Sequence, residues 1–262
     1  SKNYGFKISD VYDKGVTLTS GSSETKVENK TFVFDELIHS EDSFVRIGWD
    51  KDEYGEAQKW VYADCGNGVR VPARTISAVS TNAIGWGGWY LPDLDSNVTR
   101  SGLTVNGTAN LILAANRTFT VKGNGTPGIH VGTNGVLNIY GQGGGQLVAT
   151  GGDGCAGIGG SSGVDGGTVN VYGGTVTAKG GNCAAGIGGG KNANCGKVTV
   201  FGGTVKATGG TGGAGIGGSG GSSNGGSLTV CNGSTVTATG GFDAAGIGGG
   251  KKGGEPSSGI AV

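Results

Sequence analysis

Short segments in which apolar and polar residues alternate recur at a fixed distance through the second half of this chain. The most regular position is the isoleucine of a Gly-Ile pair, which recurs with a period of about 29 residues. The positions are Ile129, Ile158, Ile187, Ile216 and Ile247, and only the last interval is longer than the others. Such a period is typical of a solenoid, because a single repeat cannot bury its apolar face and stacking of repeats makes the core.

Each repeat contains three alternating segments, and in each the apolar residues are two apart, which is the periodicity of a strand with one buried face. In one repeat the inward pairs are Ala156 with Ile158, Val169 with Val171, and Val176 with Ala178. Three inward pairs indicate three faces. The sequence therefore predicts an all-β fold, namely a right-handed parallel β-helix with three strands in each coil of about 29 residues.

The sequence upstream keeps the same phase, so we predict that the solenoid covers residues 86–262. Its inward pairs there are Leu103/Val105, Leu111/Leu113, Phe119/Val121, Ile129/Val131, Leu137/Ile139 and Leu147/Ala149. At the other end, Ile260 and Val262 fit the second strand of an unfinished coil. An open coil exposes unpaired backbone and an apolar cross-section, so we expect either a longer parent protein or a partner at this end.

The glycines have a conformational explanation, because corners between faces need positive φ or close backbone approach. Equivalent corners contain Gly173-Gly174, Gly202-Gly203 and Asn232-Gly233. The residues just before such corners are Tyr140, Tyr172, Phe201 and Cys231. We interpret this alignment as a stack of side chains that serves packing.

Residues 1–85 differ in character and predict a small β-rich domain or cap on the solenoid. Residues 1–90 contain 13 of the 18 aromatic residues, which is enough for a core of their own. Asp50 and Asp52 resemble the opening of a calcium loop, but Val61 stands where a bidentate glutamate is needed. A hairpin between residues 44–49 and 59–63 is the favoured interpretation, with calcium as the alternative.

Composition removes several classes of protein. The chain has 62 glycines but only 4 prolines, which excludes collagen. The formal net charge is zero, and neither half has the basic face expected for nucleic-acid binding. No apolar run has the length of a membrane span, so we predict neither a nucleic-acid partner nor a membrane-spanning segment.

Five cysteines are present, at positions 65, 155, 183, 195 and 231. The spacing between Cys155 and Cys183 is one position short of the repeat, so they should lie near each other on adjacent coils. This spacing predicts a disulfide between coils in an oxidising compartment, and two buried free thiols are the alternative.

Six Asn-X-Ser/Thr sequons would be glycosylation acceptors if the source is a eukaryote and the chain is secreted. Their asparagines are Asn29, Asn97, Asn106, Asn116, Asn124 and Asn232. So many threonines and serines make several such matches expected by chance.

Three kinds of chemistry compete with a structural role. The solenoid's carboxylates are spread over different coils and corners, so we predict no enzymatic activity, with polysaccharide processing as a remote alternative. Outward Thr-x-Thr pairs at residues 175–177 and 235–237 suggest ice binding, but Lys206 interrupts the array. Trp86, Trp89 and Tyr90 would stack on sugar rings if exposed, or cap the first coil if buried.

The chain resembles secreted and surface proteins of anaerobic gut-type bacteria that carry glycine-rich parallel β-helix repeats. The stretches that carry the resemblance are Gly-Gly-Trp-Tyr at 87–90, Asn-Leu-Ile-Leu at 110–113, Leu-Asn-Ile-Tyr-Gly-Gln at 137–142, and Gly-Gly-Thr-Val-Thr-Ala with Ala-Gly-Ile-Gly-Gly-Gly within 173–190. The resemblance implies an extracellular, adhesive or carbohydrate-binding role.

We therefore expect a non-enzymatic extracellular or cell-surface protein, in which the β-helix is a stalk, adhesin or glycan-binding module. The alternative is a structural subunit that assembles into a filament or layer through its open coil end or its N-terminal domain. The expected partner of an adhesin or glycan-binding module is a polysaccharide or cell-surface glycan. The expected partner of a structural subunit is a second copy of the chain. No cofactor is expected apart from the calcium alternative.

Overall fold

The computed structural model describes residues 82–92, 96–221 and 224–251 in full, together with seven strands outside these ranges for which only the backbone is described. Those strands are 5–7, 16–20, 23–27, 47–49, 58–64, 70–76 and 258–261. The chain divides into two compact units. The first comprises Ser1–Ala63 with Arg70–Thr75, and the second comprises Asp64–Val69 with Ile76–Val262.

The described strands of the first unit support a β-rich N-terminal region. They are β1 (Gly5–Lys7), β2 (Val16–Ser20), β3 (Ser23–Val27), β4 (Ile47–Trp49), β5 (Gln58–Asp64) and β6 (Arg70–Ile76). Strands β1, β2 and β3 form an antiparallel sheet. Strands β4 and β5 are also antiparallel, with Ile47 opposite Trp60, which confirms the predicted hairpin pairing. The calcium candidates Asp50 and Asp52 lie outside the described residues.

The second unit is a solenoid made of three parallel sheets. The first sheet contains β7 (Ala83–Gly85), β10 (Leu103–Asn106), β13 (Ile129–His130), β16 (Ile158–Gly159), β19 (Ile187–Gly188), β22 (Ile216–Gly217) and β25 (Ile247–Gly248). The second contains β8 (Trp89–Pro92), β11 (Thr108–Leu113), β14 (Val136–Gly141), β17 (Thr168–Val171), β20 (Lys197–Val200), β23 (Ser227–Val230) and β26 (Ser258–Ala261). The third contains β9 (Val98–Ser101), β12 (Thr118–Lys122), β15 (Gln146–Thr150), β18 (Thr175–Lys179), β21 (Thr204–Thr208) and β24 (Thr235–Thr239).

Every sheet contributes one strand to each of the six coils from β7 to β24, and the described residues contain no helix. This arrangement confirms the predicted all-β parallel solenoid with three strands per coil, and it is consistent with the predicted right-handed parallel β-helix. The loops between successive sheets are called here the first corner (first to second sheet), the second corner (second to third) and the third corner (third to first). No described segment is a helix long and apolar enough to cross a bilayer.

The period-2 pattern of the sequence corresponds to the burial of side chains. In β18, Val176 and Ala178 are buried, whereas Thr175 and Thr177 on either side are more accessible. The isoleucines of successive Gly-Ile pairs lie directly over one another in the first sheet. Because inward residues of one coil contact those of the next, the core is one continuous cluster along the solenoid.

Irregularities in the period are absorbed by the corners and leave the strand register intact. In the first sheet Ile187 pairs with Ile216 at the standard repeat spacing. In the second sheet, the paired residues Val198 and Leu228 are separated by one residue more in the sequence. In the third sheet, the paired residues Val205 and Val236 are separated by two residues more than the standard spacing. An insertion in the first corner and another in the second account for this lengthening. The longer last interval between the isoleucines has the same origin.

Glycine is required at the end of four strands of the first sheet, namely β16, β19, β22 and β25. Gly159, Gly188, Gly217 and Gly248 have φ angles of 138°, 136°, 148° and 134°. A Cβ atom on Gly188 would lie 2.1 Å from the carbonyl oxygen of Gly217 in the next coil. The backbone conformation and the close approach of the next coil each exclude a side chain there.

Both ends of the described solenoid can be compared with the sequence-based boundaries. The first strand, β7, begins at Ala83, slightly before the predicted boundary at residue 86. Strand β26 pairs in parallel with β23, which confirms the prediction that Ile260 belongs to a second-sheet strand. Val262 lies outside the described residues.

Candidate functional site

The outer face of the second sheet carries a stack of aromatic rings, the aromatic ladder, formed by Trp89, Tyr140, Tyr172 and Phe201. Tyr140 and Tyr172 have ring centroids 4.7 Å apart and planes 4° from parallel. Tyr172 and Phe201 are 4.8 Å and 6° apart. Trp89 contacts Tyr140 at 4.9 Å with a tilt of 40°. These distances confirm the predicted stacking of Tyr140, Tyr172 and Phe201. The structure adds Trp89 to the same stack.

The orientation of these rings decides what they can bind. Sugar rings stack on an exposed aromatic face, but both faces of Tyr172 are covered by rings of other coils, Tyr140 on one side and Phe201 on the other. The exposure of Tyr172 (41%) therefore comes from its ring edge and side-chain stem, whereas Phe201 (46%) stacks through one face, on Tyr172. The ladder is suited to joining coils, and Tyr172 offers no free ring face to a carbohydrate.

A second ladder on the same face consists of asparagine side chains and is called here the amide ladder. Asn138 Nδ2 donates to Asn110 Oδ1, and Asn170 Nδ2 donates to Asn138 Oδ1, both at 2.8 Å. Asn110 Nδ2 donates to the Gly87 carbonyl at 3.1 Å, which continues the chain into the preceding coil. Sequence analysis missed this ladder. The available signal was an asparagine between two apolar strand residues in consecutive repeats.

The first corner contains a comparable chain of polar contacts. The Asp165 carboxylate accepts from the backbone N–H of Asn194 at 2.7 Å and from its side-chain Nδ2 at 3.1 Å. Asn194 Oδ1 accepts in turn from the backbone N–H of Asn224 at 2.8 Å. This carboxylate thus holds one coil against the next.

The ligand candidates Trp86, Trp89 and Tyr90 have three different environments. Trp86 is 78% exposed and has a φ of 55°. Trp89 is half-buried in the aromatic ladder. Tyr90 is buried, and its hydroxyl both accepts from the Gly85 N–H and donates to the Gly85 carbonyl. Of the three, only Trp86 is largely exposed, and Tyr90 is too buried to stack on a sugar ring.

The structure contradicts the predicted disulfide, because Cys155 and Cys183 are both free thiols. Cys183 has a φ of 57° and occupies the corner position of Gly154, whereas Cys155 is matched in the next coil by Ala184. Cys155 is buried and Cys183 is partly exposed. An offset of one residue at the third corner turns one side chain inward and the other outward, so proximity of the coils does not bring the sulfur atoms together.

The remaining thiols are also free in the described part of the chain, and Cys65 lies outside it. Cys195 is buried, and burial raises the pKa of its thiol to about 12. Burial likewise raises the pKa of the Cys155 thiol, assisted by the nearby Asp153 charge and opposed by a hydrogen bond to the Ser162 backbone. Neither residue is a poised nucleophile, because the reactive form is the thiolate.

Other candidate catalytic groups are dispersed. Asp243 forms an ion pair with Lys251, with 3.1 Å between Oδ2 and Nζ, and Asp153 is exposed in a different coil. His130 is half-buried, and desolvation lowers the pKa of its imidazole while a backbone hydrogen bond with Gly159 opposes this shift. No group of three or more His, Cys, Asp or Glu side chains suited to a metal occurs among the described residues.

One charged side chain lies inside the first coils. Arg100 is 4% exposed and occupies an inward position in β9, opposite Val121. Its Nη2 donates to Asn82 Oδ1 at 3.1 Å, and burial lowers the pKa of the guanidinium. The alternation pattern did not indicate this residue, since arginine is rarely fully buried.

Five of the six sequon asparagines fall within the described residues, and all five are exposed. They are Asn97, Asn106, Asn116, Asn124 and Asn232. Asn97 Oδ1 already accepts a hydrogen bond from the Thr118 backbone at 2.8 Å. Asn29 lies outside the described part of the chain. Glycosylation at these positions stays a prediction.

Comparison with known proteins supports the architecture. A family model described as a beta helix repeat matches residues 169–191, 198–222 and 232–251. These segments lie in the later coils of the solenoid. No curated protein and no solved structure matches the chain. The chain is therefore similar to parallel β-helix repeat proteins.

Proposed function

We propose that this chain is a non-enzymatic surface protein whose solenoid serves as a stiff stalk. The proposal rests on side-chain contacts that join one coil to the next, either by ring stacking or by hydrogen bonds. The aromatic ladder, the amide ladder and the contact between Asp165 and Asn194 all have this direction.

Such contacts add to the backbone pairing that joins every coil to the next. Stacked aromatic pairs contribute about 0.5–1.5 kcal/mol beyond the area they bury. Half-buried amides that satisfy one another avoid the cost of unpaired polar groups. Each coil is therefore bonded to its neighbours by backbone and side chains together, which favours a rod that resists bending and local opening.

The absence of enzymatic activity is supported by the same contacts. Of the described carboxylates in the regular coils, Asp165 is bonded to Asn194 and Asp243 is paired with Lys251. Glycoside hydrolysis needs two carboxyl groups that face each other across one bond. An extracellular location rests on the resemblance to secreted and surface β-helix proteins.

The test combines electron microscopy, light scattering and an activity screen on the purified chain. We expect monomeric rods across the concentration range and no release of reducing ends from acidic or neutral polysaccharides. Release of reducing ends that is lost in Asp153→Asn but kept in Asp165→Asn would contradict the non-enzymatic assignment.

A second candidate function is assembly through the last described coil. Val236 and Ala238 in β24 and Ile247 in β25 are inward residues of the last strands of the third and first sheets and are only partly buried, whereas their equivalents one repeat earlier, Val205, Ala207 and Ile216, are buried. We propose this surface as the site at which a second copy would pair. Filaments that grow with protein concentration in the same light-scattering and microscopy experiment would favour assembly over the stalk.

A further inference from the structure

The outward side chains of the third sheet form three columns that run along the solenoid axis. The first column contains Thr118, Gln146, Thr175, Thr204 and Thr235. The second contains Thr99, Thr120, Val148, Thr177, Lys206 and Thr237. The third contains Ser101, Lys122, Thr150, Lys179, Thr208 and Thr239. Eleven of these positions are threonine and three are lysine, so we call this surface the threonine-lysine face.

The charge of the threonine-lysine face is unbalanced. Lys122, Lys179 and Lys206 are all exposed, and no position in the three columns is acidic. Within the described part of the chain, none of the three ammonium groups is paired with a carboxylate. Asp153 and Asp243 lie beyond the strand ends in the third corner, and Asp243 is already paired with Lys251.

The three ammonium groups are close enough to act together. Lys122 and Lys179 occupy the same column two coils apart, which places their Cα atoms about 10 Å from each other. Lys206 follows Lys179 by one coil in the adjacent column, at a diagonal separation on the order of 8 Å. These separations are near the Debye length of about 8 Å at physiological ionic strength, so the potentials of the three charges overlap.

The face also limits the chemistry of its partner. The outward positions of the three columns contain no aromatic residue, so neither nucleic-acid bases nor neutral sugar rings find a stacking surface there. Ammonium groups and a regular array of hydroxyls instead suit a partner with many oxygen acceptors and repeated negative charge. Since the columns run along the axis, an extended chain fits them better than a compact molecule.

We propose that the threonine-lysine face binds a linear acidic polysaccharide, one that carries carboxylate or sulfate groups along its length. Lys122, Lys179 and Lys206 pair with its charged groups, and threonines between them, such as Thr150 and Thr208, hydrogen-bond its hydroxyls. Charge complementarity selects this partner over a neutral glycan. The same lysines interrupt the regular threonine rows that an ice-binding surface would need.

The test measures binding of the full chain to polygalacturonate and to dextran sulfate, with neutral dextran and single-stranded DNA as comparison probes. The decisive variant is Lys122→Gln/Lys179→Gln/Lys206→Gln, which removes the charge of the face and keeps the strands. Its matched control is Lys191→Gln/Lys197→Gln/Lys251→Gln, which removes the same charge from other exposed positions. Thermal melting of both variants checks that each remains folded.

We expect the face variant to weaken binding of the acidic polysaccharides by at least about tenfold, and the control variant by less than about threefold. The face variant should also flatten the dependence of affinity on salt concentration. Lys122→Arg/Lys179→Arg/Lys206→Arg should retain binding, because the charge is kept. Thr150→Val/Thr208→Val should weaken it less than the loss of the three lysines, because neutral hydrogen bonds contribute less than charge-assisted ones.

Four results would overturn the proposal. The first is that neither polygalacturonate nor dextran sulfate binds to the chain. The second is an equal loss of affinity in the face variant and in its control. Binding of neutral dextran with equal affinity would remove the role of charge. Tighter binding of single-stranded DNA would assign the face to nucleic acid instead.

Discussion

The outer faces of the second and third sheets belong to the same coils but use their side chains in different ways. On the second sheet, aromatic rings stack and amides hydrogen-bond from one coil to the next. On the third sheet, threonine and lysine side chains lie in equally regular columns, yet in the described residues no hydrogen bond joins these side chains to one another.

The difference shows that periodicity alone does not mark a binding surface. Regular repetition on the second sheet produces contacts within the protein, because planar amides and rings fit the coil spacing of about 4.8 Å. Repetition on the third sheet leaves donors and positive charges directed at solvent. Binding is therefore best sought where the repeated side chains are not used by their own neighbours.

The largest loss of stability is expected from a change in the first sheet, where the backbones of two coils approach closely. Gly188→Ala would place a Cβ 2.1 Å from the Gly217 carbonyl oxygen at a φ of 136°. We expect a loss of about 3 kcal/mol or more in the free energy of unfolding, because strain and overlap add. Chemical denaturation measures it.

Gly163 is the matched control, since its φ is 73° and a Cβ there would meet nothing within 4 Å. Gly163→Ala should cost about 1–2 kcal/mol, from backbone conformation alone. If the two glycine variants were equally stable, close packing between coils would not be the reason for glycine at position 188.

A smaller effect should separate the two faces directly. Asn138→Val removes the middle of the amide ladder and leaves Asn110 Oδ1 and Asn170 Nδ2 without their partners. We expect a loss of about 1–2 kcal/mol, even though valine is the better strand former. Thr150→Val, in the third-sheet strand of the same coil, should change stability by less than about 0.5 kcal/mol. Equal losses in denaturation experiments would contradict the contrast between the faces.

The smallest effect on stability is expected from a buried thiol at the first corner, which lies on neither face. It is expected only at alkaline pH. The pKa of the Cys195 thiol is raised from 9.0 to about 12 by burial. The folded state therefore holds this proton more tightly than the unfolded state between these values. Its contribution to stability is fully present below pH 9 and falls as the pH rises, by at most about 1.4 kcal/mol per pH unit.

Cys195→Ala should remove this part of the alkaline loss, so the slope of unfolding free energy against pH above 9 becomes shallower than in the native sequence. Urea denaturation at a series of alkaline pH values measures the slope. Identical slopes for the two proteins would show that the Cys195 thiol is not protected in the folded state.

Much of the fold could be predicted because stacked coils repeat the same local requirements. The spacing of Ile158, Ile187 and Ile216 predicted the first sheet, and alternation within residues 175–179 predicted which side chains are inward. The predicted disulfide was wrong because the spacing of Cys155 and Cys183 specifies which coils are adjacent, whereas side-chain direction at a corner depends on its φ and ψ angles.

The candidate site was less predictable than the fold. The amide ladder and the inward Arg100 were not predicted, because an asparagine that recurs on a strand does not show whether its amide contacts the next coil, and an isolated arginine carries no periodic signal. Trp86, Trp89 and Tyr90 are close in sequence but point into different surroundings, which a strand next to a tight turn readily produces.

The sequence by itself determined the parallel solenoid, its three faces and the places where glycine is needed, since period, alternation and steric constraints are local and repeat in every coil. Only the tertiary structure decided which outward columns contact one another and which remain available for a partner. The physical reason is that these contacts join residues a whole coil apart, and they depend on register, corner length and side-chain direction together.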